Sequence, residues 1–508
     1  MVIRHYVLLA TDGFIDLPNT PDLCTTDRGP IYVFSFIGGL YKVIDDGKVK
    51  YEDPKLNWED PGNWDSLFAL RGKGTVPAPM IWGEVEDRIY VTLINLGMKE
   101  RPDLLDPHTV HIHGGHVATQ TDGFPETSFG VPMWMNTNME PPVATYFFQP
   151  ENSGTYMYHC HVEASEHIQM GMYGALIIYP SMKSLAKAGV TQHRNRKWYL
   201  HGECQRQVPK TATNRNFAYN DINTYFDKEY VMLLSDIDST WHNAVLTADP
   251  NFNAVNFKPD YWLVNGRAFP DTLLPHPLTP PSESNDNLKQ INYESYVHIS
   301  TGEKFLLRMI NMGYQVVPWH IHGWHFTVVG KDAHPSPFLK IAARLNDLKD
   351  DDHAGHMDHE MQSMGFTATI GSGETYDLLL IADDKRPIYR NYIVNGQDGL
   401  PSLCSQMAKL DSIDPEAIFD IPTEPVSCPN PDTVNYIEIC QGVKGVDKFF
   451  PQFYPAHNHD DYKVTNNGVY PGGQLIFIQT DAPKNSHKSN STKDAKQVDF
   501  SDFNIDVE

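Results

Sequence analysis

In the stretch TYMYHCHVEASEHIQMGM, residues 155–172, Cys160 stands between His159 and His161, and His167 and Met172 follow closely. Thiolate, imidazole and thioether are soft or borderline donors, a set that suits copper better than it suits packing. Three more His-x-His pairs occur, His111/His113, His320/His322 and His457/His459, where random placement of 23 histidines in 508 residues gives about one. Side chains at i and i+2 of a β-strand share a face, so each pair offers two imidazoles side by side. Eight imidazoles are too many for one mononuclear site, which points to a metal cluster. Cys160 then faces away from His159 and His161 and serves a second metal across the strand. Two histidines, a cysteine and a weak axial methionine form the blue-copper electron-transfer arrangement. His167 and Met172 supply two of those ligands from a loop that wraps back over the metal, with Met170 as the rival axial donor. The second imidazole comes from an earlier strand, and His108 lies three residues before His111.

These residues need strands to hold them, and the texture is mostly β. Runs such as DRIYVTLINL, ATYFFQP, GALIIYP, EYVMLLSDI, KFLLRMINM and TYDLLLIAD are punctuated by Gly, Pro, Asn and Asp, as in a sandwich or barrel. SMKSLAKAGV at 181–190 is the best short helix candidate. Residues 87–120 parallel 303–329: in each, a strand ending in Ile-Asn precedes a His-Ile-His-Gly strand. The reading is two domains, 1–182 and 183–480, with a polar, disordered tail at 481–508. Val317 and Asn458 stand in the second repeat where His108 and Cys160 stand in the first, so only the first can build the blue site.

A net charge of -24 argues against nucleic-acid binding and favours cationic or neutral partners. No apolar run is long enough to span a membrane. The N-terminus shows no signal peptide, so the chain is either not exported or is a mature or trimmed form. Of six cysteines, five remain beside Cys160, and Cys428 and Cys440 are near enough in sequence to pair.

The four pairs and the HCH motif resemble those of the multicopper oxidases, in particular their two-domain, laccase-like branch with the type 1 copper in the first domain. The resemblance implies an all-β chain of two cupredoxin-like Greek-key barrels. It implies four coppers per functional unit: one type 1, one type 2 and two type 3. Type 1 falls on His108, Cys160, His167 and Met172, and type 2 on His111 and His320. Type 3 falls on His113, His159, His161, His322, His457 and His459. Asp122, in TDGFP, matches the acid that assists proton delivery, with a turn-capping Asp as the plain alternative. The implied activity is one-electron oxidation of a reductant coupled to reduction of dioxygen to water. A homotrimer with the cluster between subunits, and a periplasmic or secreted location, are implied as well. An axial Met, rather than Leu or Phe, places the type 1 potential toward the lower end for the class.

Two departures stand out. His167 stands seven positions after Cys160, not the usual five, and His457 stands 135 positions after His322, against 46 from His113 to His159. The second domain therefore carries an insertion, at about 331–450, that includes DDDHAGHMDHEMQSMG at 350–365, with His353, His356, Met357, His359, Met361 and Met364 as potential copper donors. Phenols or the ions Mn(II), Fe(II) and Cu(I) are the candidate reductants, the ions being favoured if Asp103, Asp106, Glu163 and Glu166 face the type 1 site. Copper nitrite reductase and a non-catalytic copper-binding or storage protein are the competing readings. The first needs fewer histidines, and the second has no use for the Cys-His bridge.

Overall fold

The computed structural model describes residues 2–205, 207–274, 293–337, 339, 364–423, 426, 428, 431–442 and 450–483. Every strand run singled out above forms a strand, from Arg88–Gly97 to Thr375–Ile381. Five strands make one sheet in the order Lys48–Glu52, Arg28–Asp45, Val2–Pro18, Arg88–Gly97, Val143–Phe148. Facing it are Ile81–Glu84, Tyr173–Tyr179, Gly154–His159 and His111–His113. Tyr6, Phe34, Val91, Ile112, Tyr158 and Leu176 fill the space between them, because each strand buries alternate apolar side chains.

A second pair of sheets repeats the plan. Lys228–Ile237, Lys304–Asn311, Thr375–Ile381 and Phe326–Lys331 run through the larger sheet. Val297–Ser300, Leu475–Asp481, Gln452–Asn458, Val317–Ile321 and Thr367–Ile370 make the other. The fold is mostly β, built on two pairs of sheets. Tyr173, Ile177 and Tyr179 of the first half share one apolar core with Val231, Leu233, Leu306 and Ile310 of the second. Beneath that core, Arg308 is fully buried and donates to Glu229 (2.7 Å) and Thr155 (3.1 Å), while Thr155 donates to Asp377 (2.6 Å). Paired and hydrogen-bonded, these charges tolerate burial, and they tie the strand that leads to His159 to the second half.

Several expectations need correction. Strands Thr367–Ile370 and Thr375–Ile381 belong to the second sheet pair, so the added material is not the whole of 331–450. Alternating apolar residues bind those strands into the core. Helices Arg386–Asn395, Leu403–Asp411 and Tyr436–Gln441 follow them. Cys428 does not pair with Cys440: the disulfides are Cys24–Cys428 and Cys404–Cys440, because the fold brings the N-terminal segment against the inserted one. Cys160 and Cys204 are free. The helix expected at 181–190 is Met182–Lys187, started by a Ser181 capping box. Residues 350–363 and the tail from 484 lie outside the described residues.

Candidate metal centre

Strand His111–His113 pairs antiparallel with Gly154–His159, setting His111 opposite His159. In the second half Val317–Ile321 pairs with Gln452–Asn458 in the same register, setting His320 opposite His457. The rings of His111, His113, His159 and His161 lie 5.0–5.7 Å apart in their contacts. Those of His320, His322, His457 and His459 lie 4.9–5.7 Å apart. Among the described residues no ring contact joins one tetrad to the other.

The hydrogen bonds behind the rings repeat too. His111 Nδ1 bonds the Asp122 carbonyl and His320 Nδ1 the Phe366 carbonyl, both at 2.7 Å. His159 and His457 each bond, at 2.9 Å, the carbonyl of the residue that follows, Cys160 or Asn458. A carbonyl accepts, so Nδ1 carries the proton and Nε2 keeps the lone pair a metal needs. Burial pushes His159 down to about 3 and lowers His113, His320 and His322, which holds these rings neutral. The carboxylate of Asp122 lies 3.3 Å from His111 Nδ1.

On the other side of the HCH segment, Cys160 Sγ lies 3.7 Å from His108 Nδ1 and 3.4 Å from His167 Nδ1. None of these three, nor Met172, is more than 1% exposed. Burial lowers His108 and takes His167 down to about 4, while it raises the Cys160 thiol to about 11. Two neutral imidazole nitrogens and a sulfur held this close fit a thiophilic cation, whose charge would displace the thiol proton. Met170 and Met172 are both buried in the same core, and the Met172 carbonyl accepts from the Cys160 N–H at 3.0 Å. In the second half Asn458 donates to Gln474 at 2.9 Å, and Val317 is core.

The segment expected to be a loop is a helix, Ala164–Met170, that carries His167 and ends at Gly171 in a left-handed turn with φ 117°. The longer Cys-to-His spacing gives room for its first turn. Elements of the second half close over it. Tyr314 donates to the carbonyls of Ala164 (3.1 Å) and Ser165 (2.7 Å), and Gln169 donates to the Asp236 carbonyl at 3.1 Å. Trp241 and Val245, on helix Ser239–Thr247, join the core around Cys160. The acids near the site are not all free: Arg101 holds Asp103 with two hydrogen bonds (2.8 and 2.6 Å), and burial raises Glu166.

Two positioning residues escaped the sequence reading. Buried Asn95 donates to the carbonyls of Asp106 and Val131, bracketing the approach to His108. Asn311 does the same with Gln315 and Ile370. Their signal was the Ile-Asn repeated near the end of each strand.

Residues 52–182 match the sequence profile of the multicopper oxidase family. Copper-containing nitrite reductase from Pseudomonas chlororaphis is 26% identical over 199 residues, 39% of this chain and 49% of that protein. The enzyme of the same name from Alcaligenes xylosoxydans xylosoxydans is 27% identical over 190 residues, 36% of this chain and 51% of that protein. The matched stretch thus spans about half the length of these curated relatives. The blue copper oxidase of Nitrosomonas europaea superposes with a TM-score of 0.49 at 20% identity, over 94% of this chain and 86% of the other.

Proposed function

We propose that this chain, whose residues 52–182 match the multicopper oxidase family, oxidises a reductant one electron at a time at a type 1 copper and reduces dioxygen to water at a trinuclear cluster. The single observation carrying the proposal is that the segment His159–His161, at the end of strand Gly154–His159, sends Cys160 to the His108/His167 pair and its neighbours His159 and His161 to a histidine tetrad. When bound, copper supplies one-electron transfer at the first position and multi-electron reduction of dioxygen at the second. The chain's residues do the rest. His108, Cys160 and His167 would hold the type 1 ion in a buried site, with Met172 as a further donor from the same core. The covalent Cys160–His159/His161 link joins that site to the cluster. His111 and His320 would hold type 2, and His113, His159, His161, His322, His457 and His459 would hold the type 3 pair. Asp122, beside His111, delivers protons.

We divide the chain into domains 1–182 and 183–480. Tetrads that do not touch within one chain support a homotrimer in which the cluster forms between subunits. Two disulfides support an oxidising compartment, periplasmic or secreted. The reductant is a phenol or a metal ion. Glu163 and Glu166 beside His167 favour the ion, and Glu163→Gln with Glu166→Gln should then slow Mn(II), Fe(II) or Cu(I) oxidation without slowing phenol oxidation.

The matches to nitrite reductases favour one second reading, nitrite reduction. Copper-loaded protein assayed for oxygen uptake and for nitric oxide formation separates the two. Oxygen uptake with a copper content of about four ions per chain supports the oxidase; nitrite turnover at about two per chain sinks it. Cys160→Ser should remove the blue absorption and abolish turnover with either acceptor.

A further inference from the structure

The type 1 residues are sealed, yet a line of aromatic rings leads to them from the surface. His108, Cys160, His167 and Met172 are at most 1% exposed, so no dissolved reductant touches a ligand. Phe14 is 45% exposed. Its ring lies 5.5 Å from Tyr32, Tyr32 lies 5.6 Å from Phe34, and Phe34 lies 5.7 Å edge-on to His167. The strands dictate the alignment. Phe14 and Tyr32 are directly opposed across the Val2–Pro18/Arg28–Asp45 pairing, and Tyr32 and Phe34 share a face by their two-residue spacing.

Tyr32 is the one phenol in this line, and it has a proton acceptor. Its hydroxyl donates to Asp12 Oδ2 at 2.9 Å. Asp12 is fully buried and fixed by the backbone N–H groups of Lys99 and Glu100, each at 2.8 Å. Burial, reinforced by that carboxylate, holds the phenol above its ordinary range, so it is protonated at rest. An oxidised phenol is a strong acid, and a carboxylate already hydrogen-bonded to it lowers the cost of removing the electron.

We propose that Tyr32 relays electrons from the Phe14 surface to the copper held by His167, with Asp12 taking and returning the phenolic proton; the inference rests on the type 1 site described above. Tyr32 gives one electron to Cu(II), forming Cu(I), as its O–H bond breaks and the proton passes to Asp12. The neutral tyrosyl then takes one electron from a one-electron reductant at Phe14 and recovers the proton. The net change is one electron moved and no proton consumed.

Anaerobic stopped-flow mixing of the copper-loaded protein with hydroquinone, following the blue band in ordinary and in heavy water, tests the relay. Tyr32→Phe keeps the ring and should keep the blue band and its potential. It should slow bleaching by roughly tenfold or more and abolish the solvent isotope effect. Phe14→Leu, at the surface, should slow bleaching and keep the isotope effect. Independently of copper, flash oxidation of the metal-free protein by a ruthenium sensitiser with persulfate should give a neutral tyrosyl EPR signal that diminishes in Tyr32→Phe. A blue Tyr32→Phe protein that bleaches as fast as the parent with the same isotope effect, or an undiminished EPR signal, overturns the relay alone. Copper-loaded protein with no blue band overturns the type 1 site, and the relay with it.

Discussion

Burial drives His242 and Cys160 away from charge in opposite directions. The thiol rises to about 11, whereas His242 falls to about 4. In the neutral His242 ring Nδ1 donates to the Tyr32 carbonyl and Nε2 accepts from Gln169, so the ring joins the strand of the aromatic line to the His167 helix. A depressed imidazole makes stability depend on pH with a definite sign. Between about 6.5 and 4 the unfolded chain binds a proton that the folded one refuses, so stability present above pH 6.5 is lost as pH falls. The loss amounts to about 3 kcal/mol at most. Denaturation of the metal-free protein at about pH 7 and about pH 4.5 should show a steeper decline for the parent than for His242→Gln; equal declines would remove His242 from the explanation. The proposed ligand residues were legible because a metal demands donor types at fixed spacing, and HCH is rare by chance. His242 was not: nothing around it in sequence marks a lone buried histidine, whose partners lie 210 and 73 residues away.

At the scale of elements, the strands and the short helix Met182–Lys187 could be read, but the helix that carries His167 could not. Apolar runs bounded by turn residues give strands such as Lys304–Asn311 away from their context, but the seven residues of Ala164–Met170 complete barely two turns and show no stripe. What stops that helix is Gly171, whose positive φ lets the chain reverse and places the Met172 carbonyl against the Cys160 N–H. A Cβ there would sit 2.4 Å from Val76 Cγ2 and 2.9 Å from the Phe34 carbonyl oxygen. Gly171→Ala should therefore cost roughly 2 to 5 kcal/mol, strain and overpacking together. The displaced turn should also shift or broaden the blue absorption. A variant with the parent's melting temperature and spectrum would mean the turn does not set the ligand geometry. The pairing of Cys24 with Cys428 was hidden for a different reason: a separation of 404 residues is fixed by the tertiary fold, not by local spacing.

The whole molecule presents two tetrads with the same register and unequal shelter. His159 is buried, whereas His322 and His459 are exposed. In the first tetrad the donors of His111, His113 and His159 lie within 4.8 Å of one another, whereas in the second the close approach is a pair, His322 and His457, whose Nε2 atoms are 3.1 Å apart. Sequence reveals that the two halves match; it does not reveal which copies meet, because the same four pairs could close within a chain or between chains. Coexpression of two inactive variants decides. One carries His111→Ala and His113→Ala, the other His457→Ala and His459→Ala, so each chain retains one intact tetrad and both keep the type 1 ligands. If the cluster forms between subunits, a mixed oligomer contains interfaces at which the intact tetrad of one variant meets the intact tetrad of the other. Oxygen uptake should then return to about a quarter of the parent's at equal expression, since half of the chains supply each intact face at random. Each variant alone should stay blue and inactive. Mixed oligomers that form but remain inactive would place the cluster within a single chain and remove the structural reason for a trimer.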